Sequence, residues 1–157
     1  MCMLQGVPSE LIEVTQGISR KENSVTLRIN NRILTYMTVT KAIDDWPILE
    51  ESLTPSDPSV DIFLDYPDEE VVLEGYGAFR PPVPVGMSGG PLWDMGHTTG
   101  LWTPADCKLI GIQHEWSSSQ RWLRVVQIYH WLKLIQLHYP DLRNVLESRF
   151  PELSIAN

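Results

Sequence analysis

The six residues Gly86-Met87-Ser88-Gly89-Gly90-Pro91, with the approach Arg80-Pro81-Pro82-Val83-Pro84-Val85, restrict the fold of this chain more than any other stretch. Proline has no N–H to give to a sheet ladder, so three prolines in that approach exclude a central strand before the serine. Downstream, Gly-Gly-Pro is a poor way to begin a helix, since glycine costs ~1 kcal/mol and proline ~3 kcal/mol relative to alanine in a helix interior. Ser88 is therefore expected on a turn. Glycine carries no Cβ, so the flanking backbone can turn sharply and come close to a ligand. A serine presented this way is a candidate nucleophile. The oxyanion formed when its hydroxyl attacks a carbonyl needs preorganised donors, and the N–H groups of Gly86 and Ser88 are the candidates.

The rest of the chain reads as strands, then helix. The apolar run closed by Gly6-Val7-Pro8 predicts a first strand ending in a turn, and residues 11–18 predict a second, leading into a polar turn at 19–23. Val25, Leu27 and Ile29 alternate with Thr26 and Arg28, the period of a half-buried strand. Asn30-Asn31 is expected to turn the chain, with residues 33–40 returning as the hairpin partner. Residues 41–59 carry Asp44, Asp45, Glu50, Glu51 and three prolines, which predicts an exposed excursion without chemistry. Further strands are expected at 60–66, from 71, at 92–93, at 108–114 and at 122–128. From Ile128 the period changes: Ile128, Trp131, Leu132, Ile135 and His138 share one helical face, expected to pack on a barrel, until Pro140 ends it. Residues 141–149 add a second short helix. The expectation is a single mainly-β domain over 1–157, an antiparallel barrel of six to seven strands at 1–128 with the excursion at 41–59, then a C-terminal α-helix and tail at 129–157.

Composition narrows the function classes. The net charge of −8 is lopsided, with 5 basic and 14 acidic side chains in residues 1–75 (net −9) against 7 and 6 in residues 76–157 (net +1). Such a surface repels phosphate backbones and anionic lipid, so neither nucleic acid nor a membrane is expected as a partner. The first residues lack a basic region followed by an apolar run, and Cys2 and Cys107 have no close spacing, which together point to a cytoplasmic protein with free thiols.

Gly-x-Ser-Gly-Gly-Pro resembles the nucleophile motif of the trypsin-like, chymotrypsin-fold serine peptidases. The likeness extends through the strand pair after the serine and the terminal helix. It implies the second barrel of that fold, with Ser88 as nucleophile, Gly86 and Ser88 amides as oxyanion hole, a polypeptide substrate and no cofactor or metal. It also implies a substrate pocket near Val83, Val85, Ile112, Gln113 and His114. The match at His114 is offset by one position, because viral relatives that cut after glutamine carry Gly-Ile-His where this chain has Gly111-Ile112-Gln113-His114, and one extra residue swaps the face of a strand. Met87 stands where secreted trypsins carry an aspartate, so their zymogen ion pair is not expected, and the proline-rich approach offers no carboxylate for a Lys or Arg side chain.

A serine needs a general base and a group to orient it. In the resembling family both precede the serine, whereas all four histidines here, His97, His114, His130 and His138, follow it. The chain is then the C-terminal half of a longer peptidase, one half of an enzyme completed by a separate chain supplying His and Asp, or an inactive remnant. A non-catalytic β-barrel interaction module that keeps the motif as a structural turn is the alternative from another class. The looser pattern Gly-x-Ser-x-Gly also allows the nucleophile elbow of an α/β-hydrolase esterase, which requires a helix directly after Ser88.

Overall fold

The computed structural model describes residues 1–19, 24–49, 54–66, 71–73, 77–96 and 102–154. Ten strands are assigned among them: β1 (Cys2–Gly6), β2 (Ile12–Ser19), β3 (Ser24–Asn31), β4 (Leu34–Thr38), β5 (Asp61–Asp65), β6 (Val71–Leu73), β7 (Gly77–Phe79), β8 (Pro91–Asp94), β9 (Lys108–Ser117) and β10 (Trp122–Gln127). Two helices follow, α1 (Ile128–His138) and α2 (Arg143–Arg149). Six strands form one antiparallel sheet in the order β4-β1-β8-β9-β10-β5. The fold is thus mainly β, a curled half-barrel with a short C-terminal helix, as the alternation and the change of period at Ile128 anticipate.

Curling has a local cause in β9. Opposite β8 the register slips at Leu92/Trp93, passing over Ile110, and opposite β10 it slips at Arg124/Val125, passing over His114. An unpaired residue in one strand bends it and increases its twist, so two of them in one central strand roll the sheet. The two edge strands then approach: Thr40 bridges Leu64, and Lys41 N–H donates to Phe63 O at 2.8 Å. Tyr36 Oη donates to Asp65 O across the same seam at 3.1 Å, and Lys41 pairs with the Asp65 carboxylate. Inside the curl lie Cys2, Leu4, Leu64, Tyr66, Met87, Leu92, Leu123 and Val125, all buried. Leu4 and Leu92 come from neighbouring strands, and Leu123 and Val125 alternate along β10, so one face of each strand supplies this core.

Three expectations are corrected. Asn30 and Asn31 lie within β3 and do not turn the chain; β3 pairs with β2, and β4 pairs instead with β1. The twin asparagines misled because a local turn signal competes with, and here loses to, eight consecutive cross-strand pairs between β2 and β3. The β2–β3 hairpin, moreover, is not half-buried where its side chains are described: Val14 and Ile29 face each other across it at 60% and 62% exposure. The apolar face of α1 is also less enclosed than its period implies. Leu132 and Ile135 are half-buried, Trp131 is exposed, and no residue of α1 is fully buried.

The acidic excursion covers a second, smaller core on the outer face of β5 and β10. Phe63, fully buried, meets the Trp46 ring at 4.9 Å and the Trp122 ring at 5.4 Å. Beside it Arg124, also buried, gives Nε to Asp61 Oδ1 at 2.9 Å and Nη2 to Asp61 Oδ2 at 2.6 Å. Its remaining N–H groups reach Thr54 O, Pro55 O and Glu115 Oε2 at 2.9, 3.0 and 3.4 Å. The fork of the guanidinium is saturated, which is the condition under which a buried charge is tolerated. Asp61 holds the guanidinium protonated and pushes its pKa up against the opposing effect of burial. Replacing Arg124 by Met leaves a buried carboxylate uncompensated and is expected to cost about 3–5 kcal/mol in urea denaturation. The double replacement Asp61→Leu/Arg124→Met should be less destabilised than Arg124→Met alone; an equal or larger loss would show that the pair is not the anchor.

Candidate active site

The proline-rich approach is held in place from three sides. Tyr66 Oη donates to Pro82 O at 2.6 Å, Ser9 N–H donates to Val85 O at 2.7 Å, and Val83 N–H donates to Glu10 Oε2 at 3.3 Å. Burial, with Tyr36 and Glu10 nearby, pushes the Tyr66 phenol up to about 12, so it remains a donor. At Gly86 the backbone turns with φ +90°, a region that an L side chain rarely adopts. Met87 N–H closes this turn on Pro84 O at 3.1 Å while its side chain is buried in the barrel core, 1% exposed. An apolar residue before the serine thus serves as an anchor for the loop.

Beyond Ser88 the loop is fastened to the middle of the sheet. Gly89 N–H donates to Gln113 O at 2.8 Å, and Gln113 N–H donates back to Gly90 O at 2.9 Å, so both main-chain groups of Gln113 are spent on the motif. Gly90 allows this approach because a Cβ there would lie 2.3 Å from Gln5 O and 2.8 Å from Met87 O. Among the described residues, the amides of Met87 and Gly89 have protein acceptors, and those of Gly86 and Ser88 have none. Ser88 itself is exposed, and its Oγ donates to His114 O at 3.4 Å, beyond the 2.5–3.0 Å usual for a hydroxyl donor. A cavity of about 390 Å³ opens beside it, lined by Gln5, Gly6 and Val7, by Ile33 and by the motif itself.

The structure brings some of the candidate pocket residues to this loop and disperses others. Val83 stands on the wall of a separate cavity of about 120 Å³, and Val85 is exposed with its carbonyl taken by Ser9. Gln113 is buried; its Nε2 donates to Glu115 O at 3.1 Å, and its Oε1 has no hydrogen-bond partner among the described residues. Ile112, opposite Val126 and Pro91, is on the other face of β9 from Gln113. His114 occupies the bulge of β9, unpaired between Gln113 and Glu115. Its backbone, not its ring, meets Ser88. Of the other histidines, His130 contacts Ser59 O at 2.9 Å from α1, His138 is exposed at the end of that helix, and His97 lies outside the described residues. Tyr66 and Glu10 were missed as supports, because no local signal links Tyr66 to a carbonyl at Pro82 or Glu10 to an amide at Val83.

Among the described residues, no group of three or more His, Cys, Asp or Glu side chains is placed to hold a metal ion, and no helix is long and apolar enough to cross a membrane. All strand pairs described are antiparallel, and Gly89-Gly90 lead into strand β8, where an esterase elbow needs a helix. No family model matches the chain, and neither a curated protein nor a solved structure matches it.

Gly90→Ala should force the loop away from β1 and cost about 1–3 kcal/mol, the range for overpacking, with the Gly89 amide losing its protection in hydrogen exchange. Retained protection would show that the close approach is not required. Partial desolvation of the His114 ring, and then the Arg124 charge, lower its pKa below the ordinary 6.5. The unfolded imidazole therefore binds a proton more readily, so the stability linked to His114 is complete above pH 6.5 and declines as pH falls through the native value. An NMR titration of the folded chain should place the His114 midpoint below that of an unstructured histidine.

Proposed function

We propose that this chain is the nucleophile-bearing second barrel of a trypsin-like serine peptidase, acting on polypeptide in the cytoplasm, with neither nucleic acid nor membrane as partner. The observation that carries the reading is the pattern of amides around Ser88: the two N–H groups without an acceptor among the described residues, Gly86 and Ser88, are those that would serve a developing oxyanion, while the amide between them and the one after them are spent holding the loop. In the reaction, Ser88 Oγ adds to the scissile carbonyl carbon as its proton passes to an imidazole. The C–N bond then breaks with that proton delivered to the amine, and water releases the acyl group from Oγ. The imidazole and its orienting aspartate belong to a first barrel, supplied by a preceding segment or by another chain.

One observation favours the second reading, a β-barrel interaction module that has kept the loop for its shape. The Ser88 hydroxyl meets a main-chain carbonyl, and no imidazole of the described residues lies against it. A fluorophosphonate probe applied to the native cell extract, where any first-barrel partner is present, distinguishes the two. Covalent modification mapped to Ser88 by mass spectrometry, and lost in Ser88→Ala, is the expected result. A folded protein that stays unmodified under these conditions would leave only the interaction module.

A further inference from the structure

The cavity beside Ser88 lies where the end of β1 meets the motif, and glycines make the room for it. A Cβ at Gly6 would lie 2.9 Å from Met87 Cε, one at Gly90 would lie 2.3 Å from Gln5 O, and one at Gly86 would lie 3.4 Å from Val7 O, so the two segments pack main chain to main chain. A Cβ at Gly89, by contrast, would meet nothing within 4 Å, which leaves open space over the residue next to the serine. Besides Ser88 and the buried Met87, the bordering residues that carry side chains are Gln5, Val7, Ile33 and Pro91. All of them, with their neighbours in the chain, are described residues. Gly86 and Ser88 border the cavity too, so a peptide carbonyl seated at their amides would carry an adjacent side chain to its mouth.

The walls differ from the molecule around them in holding no charge. Charged residues make up 20% of the chain, yet no Asp, Glu, Lys, Arg or His borders this cavity. An ionised side chain entering it would lose water without gaining a partner, whereas an apolar one loses nothing by the exchange. Exclusion of charge is thus half of the selection. At about 390 Å³ the cavity lies near the lower end of the ~300–1,000 Å³ of ligand pockets, which suits one side chain of leucine or phenylalanine size. A single exposed isoleucine is ordinary on a protein surface. Ile33 stands apart by its position: 67% exposed, it borders this cavity and a neighbouring one of about 660 Å³, so it stands between two hollows, one of them opening on Ser88. Such a side chain is covered only when something apolar lies against it, and its removal from water then favours binding.

We propose that the cavity beside Ser88 receives an apolar side chain of a peptide, against Ile33 and Val7, and turns charged side chains away. As a statement about substrate it rests on the peptidase reading; as a statement about binding it does not. The test uses the full chain and the peptides acetyl-Gly-Ala-X-Ala-Gly amide, with leucine, alanine, lysine or glutamate at X, raised to millimolar concentration and followed by amide chemical shifts at Gly6, Val7, Ile33 and Gly89. The leucine peptide should bind roughly tenfold tighter than the alanine peptide, with lysine and glutamate no better than alanine. That order should persist as salt is raised, because no ion pair contributes to it. Ile33→Ser, or Ile33→Thr if the branched shape is needed for a dispersed folded spectrum, should remove most of the leucine preference while leaving the alanine peptide unchanged, and Ile33→Leu should keep it. Absence of binding by every peptide, equal binding of the leucine and lysine peptides, shifts confined to other residues, or a leucine preference that survives the polar replacements of Ile33 would overturn the proposal. Modification of Ser88 by the fluorophosphonate without leucine preference removes this inference alone. Leucine preference with an inert Ser88 removes the peptidase and leaves a module that binds apolar peptide.

Discussion

Gln113 gives both of its main-chain groups to Gly89 and Gly90, and the position of Ser88 depends on that exchange. A loop between two extended segments would ordinarily be the most mobile part of such a protein. Here it is held by strand-like hydrogen bonds at one end and by the Met87 side chain, sunk in the core, at the other. The hydroxyl between these two fixings is exposed and only loosely engaged. Rigidity of the backbone and freedom of one side chain are thus combined within four residues. Chemistry that relies on preorganised donors requires that combination.

The fixing is only as good as the strand that provides it, and β9 is shaped by its two bulges. The bulge at Ile110 displaces the register toward β8, and the one at His114 displaces it toward β10, so Gly111–Gln113 lies between two bends. β10 is held in turn by the Arg124–Asp61 pair, which ties it to β5 and draws the carbonyls of Thr54 and Pro55 down onto the outer face. The excursion that contains them is acidic and proline-rich, yet it is structural cover. Phe63, between Trp46 and Trp122, is its apolar counterpart.

What could be read beforehand was what depends on local pattern. The change from period 2 to period 3.6 places α1 at Ile128–His138, and the prolines and glycines of 81–91 place Ser88 on a turn. What could not be read was which strand lies beside which. Asn30-Asn31 is as good a turn as the polar run at 19–23, and nothing in either says that β4 belongs next to β1. The pairing is decided by burying Leu34 and Tyr36 against the core, a contact between distant parts of the chain. The Arg124–Asp61 pair is illegible for the same reason, since two charged residues in two strands look solvent-facing until the excursion folds over them. At the site, Ser88 and Gly86 were legible because glycine spacing is a backbone constraint written in sequence. The bulge at His114 was not legible, because it arises from the register of β9 against β10 and leaves no local pattern.

The saturated guanidinium of Arg124 also limits how this chain can drift. Lysine keeps the charge but offers three donors on a tetrahedral head, and Arg124 has five engagements with groups from β5, β9 and the excursion. A one-step exchange would strand part of that set inside the protein, whereas a tolerated exchange must alter several separated positions together. Divergent copies of this sequence should therefore retain the arginine and its aspartate long after the surrounding surface has been rewritten.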